Sequence, residues 1–146
     1  MKADPKTEAA VMAVMNQFIE SFQKQDLDGN LALYAPDDNV VAIGTGADEK
    51  CVGLAEIKTA SERTFTQSET QSIQLSWHSV SAAGAVAWVA SDGIVQAKVS
   101  GQEMSFPIRL TFVLERRGER WLIVHLHWSL PAAGQKEGDS WPAESS

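Results

Sequence analysis

Two histidines stand two residues apart in WLIVHLHWS, residues 121–129. Imidazole titrates near neutral pH, so it is the usual general acid or base. It is also a metal ligand. In a strand, alternate side chains share a face. Trp121, Ile123, His125, His127 and Ser129 would then lie together, with Leu122, Val124, Leu126 and Trp128 opposite. The preceding segment splits the same way: Arg109, Thr111 and Val113 on one face, Leu110, Phe112 and Leu114 on the other. Arg109 could hold an anionic group near a histidine base.

Three roles compete for the pair. They could do acid–base work, which makes His127 and His125 the candidate catalytic residues. They could bind a metal, but catalytic zinc usually has three protein ligands. The remaining histidine, His78, falls on another strand, so no metal is expected. They could be framework residues bonded to backbone or carboxylate at a half-buried sheet face or dimer contact, and this is the favoured role.

Cys51 is the sole cysteine. It excludes an internal disulfide and a multi-cysteine zinc site. In EKCVG one neighbouring cation, Lys50, could activate it, so it reads as a partly buried small residue.

These residues need elements to carry them. Residues 5–24 show helical spacing through Val11, Val14, Met15, Phe18, Ile19 and Phe22, with Asp4 as cap and Pro5 in the first turn. Asp28 can cap a short second helix, NLALYA, ended by Pro36, with Leu31 and Tyr34 facing inward. Asn39–Ile43 reads as a short strand closed by the turn GTGADEK, and Gly53–Phe65 as a helix. Strands follow through Ile73, Leu75 and Trp77, then Ala85–Val99 with a bend near Asp92–Gly93, then Met104–Arg116 and Trp121–Leu130. The last two pair as an antiparallel hairpin about the solvated turn of ERRGER. Helices gathered before an antiparallel sheet give an α+β fold, a cone whose N-terminal helices pack on a strongly curved sheet and enclose a pocket. Residues 1–131 form the domain, and 132–146 a flexible C-terminal tail. Trp141 could anchor that tail to a groove on its own subunit or a neighbour.

The chain has 146 residues and a formal charge of −7, which suits one domain and argues against nucleic acid and anionic membranes as partners. MKADPKTEAA lacks the apolar core of a signal peptide, so a cytoplasmic location is expected.

The stretches QDLDGNLALYAPDDNVVAIGTG, VGLAEI, AVAWVAS and RLTFVLERRGERWLIVHLHWSLPA resemble the SnoaL-like branch of the nuclear-transport-factor-2-like superfamily. That superfamily includes ketosteroid isomerases, limonene-epoxide hydrolases, polyketide cyclases and a kinase association domain. The resemblance implies an apolar pocket and a homodimer through the convex sheet face. It puts the isomerase tyrosine at Phe18, the base at Ile43 and the oxyanion aspartate at Phe112. None of these side chains can move a proton. An Asp–Arg–Asp set of the epoxide-hydrolase kind has Arg109 and Asp92 but no second acid. Two pocket arginines of the association domain fall at Phe112 and Trp128. Asp48 and Glu49 fall near the pocket mouth, or are simply a solvated loop.

The resemblance thus implies a small-molecule-binding domain with an apolar, aromatic pocket. Phe18, Ile43, Trp88, Phe112, Leu126 and Trp128 would surround a small hydrophobic molecule, or else form plain core. Arg109, Thr111, His127 and Ser129 would anchor it if a bulge rotates the hairpin; otherwise they sit on the convex face. One alternative is a lyase, isomerase or hydrolase of a hydrophobic carbonyl or polyketide-like substrate with a strand histidine as base. A second is an association module. No cofactor is expected.

Overall fold

Asp4 starts the first helix as predicted. Its carboxylate accepts a hydrogen bond from the Thr7 amide at 2.8 Å, satisfying a donor that the first turn leaves free. Helix α1 then runs Pro5–Lys24 and ends at Gln25 in the left-handed region. The computed structural model describes residues 1–143. Helix α2 is Leu27–Leu31, shorter and earlier than NLALYA, because Asp26 rather than Asp28 supplies the cap, accepting from the Gly29 amide. Strand β1 is Val41–Ile43, and β2, Lys50–Val52, is a strand that the sequence pattern does not reveal. Three residues are too few for an alternation to show. Helix α3 is Leu54–Thr66.

Four long strands follow: β3 Thr70–Ala83, β4 Val86–Val99, β5 Gln102–Arg117 and β6 Arg120–Ser129. The sheet order is β2-β1-β6-β5-β4-β3, mostly antiparallel, curved and not closed, with β1 parallel to β6. The fold is α+β, as the element order predicts. The bend expected in β4 belongs instead to β3, where the register shifts between Leu75 and Trp77. It lies opposite Gly93, where a Cβ would come 2.4 Å from the Gln74 carbonyl oxygen, so only glycine fits.

A second irregularity sets the faces of the last hairpin. Val113 pairs with His125 but Leu114 pairs with Ile123, so β6 carries one extra residue, Val124. The alternation therefore reverses at Val124. Ile123 and Trp121 leave the histidine face and join Leu110, Phe112, Leu114 and Leu126 beneath the helices, where all are buried. The core lies between this face and α1 through Val11, Met15 and Phe18. The outer face carries Trp77, Trp88, Ile94, Arg109, Thr111, His125 and His127.

After β6, residues 130–143 are joined by local backbone bonds, including the Ala143 amide to the Gly134 carbonyl. Trp141 is 83% exposed and so anchors nothing within the chain. The last part of the expected tail, residues 144–146, lies outside the described residues. No described helix is long and apolar enough to cross a membrane.

Candidate functional site

Between α1, α3 and the covered face of the sheet a cavity of about 220 Å³ remains. Its inner end is aromatic because α1 turns Phe18 and Phe22 toward Trp128 of β6. The ring centroids lie 6.1 Å and 5.7 Å from that indole. Phe65 of α3 meets Phe22 at 6.0 Å. Ala42, Leu126, Ile57, Val95 and Phe106 complete much of the apolar wall. Four of the expected pocket residues, Phe18, Ile43, Leu126 and Trp128, are thus brought together. Ile43 lines the cavity although its sheet partner is His127, whereas Ala42 is the β1 residue in register with Leu126.

Other expected residues lie elsewhere. Phe112 is fully buried beneath Phe18 and is not part of the wall. Trp88 pairs with Val113, the partner of His125, so it faces outward. Arg109, Thr111, His125, His127 and Ser129 share that outer face. A bulge does exist in the hairpin, but it precedes His125 and leaves this polar set outside. Arg109 donates to Ser129 Oγ at 3.1 Å and to the Leu130 carbonyl at 3.3 Å. Its register partner Asp92 is on the same outer face.

The two imidazoles stand edge to face, centroids 6.3 Å apart. Among the described residues neither ring has the backbone or carboxylate partner expected of a framework histidine, because this face looks away from the core. His78 lies on the helix-covered side, 3.8 Å from Glu8, so the sheet separates it from the other two. Among the described residues no three metal-binding side chains cluster.

The polar part of the cavity comes from residues the alternation pattern did not single out as a site. Tyr34 and Asn30 are 5% and 2% exposed, and both line the cavity. Asn30 is held from behind. Ser21 Oγ donates to the Phe18 carbonyl at 2.8 Å and accepts from Asn30 Nδ2 at 3.1 Å. Tyr34 is placed by a short parallel bridge to Ile123, with the Ala35 amide donating to the Ile123 carbonyl. Burial pushes its phenol well above the ordinary tyrosine range, with the nearby Cys51 adding to the shift, so it remains a proton donor. Cys51 also lines the cavity. Burial first, then Glu56 and Glu49, raises its thiol, which therefore stays protonated and unreactive.

At the mouth, Glu49 lines the cavity, whereas Asp48 beside it is exposed on the loop. Arg63 of α3 bonds Asp48 at 2.9 Å and Glu49 at 3.3 Å, fixing the β1–β2 turn over the opening. Glu49 also accepts from the Gly46 amide. Hydrogen bonding to Arg63 holds the Asp48 carboxyl below its ordinary range.

The SnoaL-like domain family model matches residues 11–133. No functionally curated protein matches the chain. Among solved structures, one similar chain is a protein of the nuclear-transport-factor-2-like family from Streptomyces avermitilis, provisionally named a dehydratase. It has TM-score 0.80 and 20% identity, with 89% of this chain and all of that one covered. A nuclear-transport-factor-2-like superfamily protein from Salmonella enterica gives 0.79 and 20%, covering 93% and 96%. A Xanthomonas campestris protein, provisionally named a calcium/calmodulin-dependent protein kinase II association domain, gives 0.74 and 22%, covering 84% and 86%. At these identities the likeness establishes the fold.

Proposed function

Because the chain belongs to the SnoaL-like domain family, whose fold hosts many unrelated activities, we propose that it is a small-molecule-binding protein. Its ligand is a compact hydrophobic molecule held in the aromatic cavity. The observation that carries this reading is the space itself. Phe18, Phe22, Phe65 and Trp128 surround about 220 Å³ that no side chain fills. Drug-sized ligands occupy pockets of roughly 300–1,000 Å³, so this one selects a smaller guest. Burial of its apolar surface supplies the affinity. The test is native mass spectrometry of freshly purified protein, followed by denaturing extraction. A co-purifying compact apolar compound is the expected result. Protein that emerges empty, and that no small hydrophobic compound shifts in melting temperature, overturns the reading.

The outer face supports a second role for the same molecule. Trp77 is 53% and Ile94 37% exposed there, beside the half-buried Trp88. Large apolar groups on one sheet face suit self-association, and we assign this face to a homodimer contact. Light scattering should give twice the chain mass, and Trp77→Arg should return the monomer.

A further inference from the structure

The proposed cavity has a polar end whose two free groups differ in kind. The Tyr34 hydroxyl has no hydrogen-bond partner among the described residues, yet the residue is only 5% exposed. The Asn30 amide is oriented by Ser21. That serine gives its only proton to the Phe18 carbonyl, so toward Asn30 it can only accept. The Asn30 nitrogen therefore faces Ser21, and its Oδ1 is turned the other way. Among the described residues no bond reaches Oδ1, and no fully enclosed side-chain polar atom lacks a partner. Both atoms must then touch open space, and the cavity is the space that both residues line.

We infer that this end recognises a neutral ligand carrying a carbonyl oxygen beside a hydroxyl or N–H group. This inference rests on the binding reading above. The Tyr34 phenol would donate to the carbonyl, and Asn30 Oδ1 would accept from the hydroxyl or N–H. Charge narrows the class. Among the described residues no lysine, arginine or histidine lines the cavity, whereas Glu49 does. The nearby guanidinium, Arg63, is already bonded to Asp48 and Glu49. An anionic ligand would meet a carboxylate with no unpaired cation to offset it. A neutral hydroxyketone, or a lactam-like amide, meets one donor and one acceptor. A plain hydrocarbon would leave both buried groups unpaired.

The test compares two compact aromatic compounds on the full chain by amide-resolved NMR titration: 2-hydroxyacetophenone, which carries both groups, and propylbenzene, which carries neither. Wild type should bind the hydroxyketone about tenfold more tightly, as expected when two buried polar groups gain partners. Tyr34→Phe should erase most of that preference while leaving propylbenzene affinity unchanged. The Tyr34 hydroxyl bonds nothing among the described residues, so this variant should fold and melt like wild type. The wild-type comparison needs no variant and stands even if Tyr34→Phe misfolds. Equal affinity for the two compounds overturns the polar-end inference and leaves the pocket reading intact. Binding of neither, up to the limit of solubility, overturns the pocket reading and this inference with it.

Discussion

Phe18 and Phe112 meet edge to face, with ring centroids 5.1 Å apart and planes at 80°. One of these rings belongs to the cavity and the other to the core. Phe112 supports Phe18 from below, and Phe18 in turn touches the Trp128 indole. The aromatic end of the cavity is therefore built on a packed floor.

Phe112→Ala should cost about 3–5 kcal/mol, the range for deleting a fully buried phenylalanine. Urea unfolding measures it directly. A cost below about 1.5 kcal/mol would mean that the floor collapses to fill the gap. Trp128 is only half-buried, so Trp128→Ala should cost less and enlarge the cavity.

Arg117 grips Asp37 through both carboxylate oxygens and also reaches Glu115. Hydrogen bonding to Arg117 holds the Asp37 carboxyl below its ordinary value. A group whose folded pKa is lowered stabilises the fold above its unfolded pKa, near 3.9 for aspartate. That contribution disappears as pH falls through the lower, folded value. In urea titrations, wild type should exceed Asp37→Asn at pH 6. The gap should shrink below about pH 4. A gap that stays constant into strong acid would show that the pair contributes nothing through its charge.

Asp26 and Asp28 can be told apart by substitution. Asp26→Ala removes the acceptor for the Gly29 amide at 3.0 Å and should cost about 1 kcal/mol. Asp28→Ala removes no cap and should cost a few tenths at most. The reverse order in thermal melts would restore the cap to Asp28.

Gly93→Ala should destabilise by at least about 1–3 kcal/mol, since the new methyl meets backbone rather than a movable side chain. Differential scanning calorimetry would reveal it, and a melting temperature equal to wild type would rule out the tight approach of β3.

His125→Gln and His127→Gln should leave hydroxyketone affinity in the cavity unchanged, because both rings stand on the outer face. The same variants should alter self-association if that face is the dimer contact. A loss of cavity binding in either would put a histidine back in the site.

Much of this architecture is legible in the chain because long periodic segments announce themselves. The spacing of Val11, Met15 and Phe18 gives α1, and the alternation about Phe112 gives β5. The pocket residues Phe18 and Trp128 follow from that periodicity together with the family resemblance. The misplacements have local causes. The inward position expected of Trp88 presumes a bend in β4, and the bend belongs to β3. Ile123 changed face because Val124 adds one residue, and a bulge leaves no composition signal. Spacing turns Tyr34 inward, but its role at the cavity depends on a bridge to Ile123 that sequence spacing cannot disclose. Asn30 gave no signal beyond standing four residues before it.

The pairing of β1 with β6 bears on how the molecule assembles. Strands β3 to β6 form a meander of consecutive antiparallel neighbours, whose contacts close short loops. The rim of the cavity is different. The β1–β2 turn there hangs on β1, and β1 reaches β6 only in parallel, Val41 beside His125, with the intervening strands already between them in sequence. Closing so long a loop costs more chain entropy, and contacts of that kind slow folding. The meander can form from local pairings, whereas the rim must wait for a distant segment to arrive. The entrance to the cavity is therefore the part of the fold whose formation depends most on the whole chain.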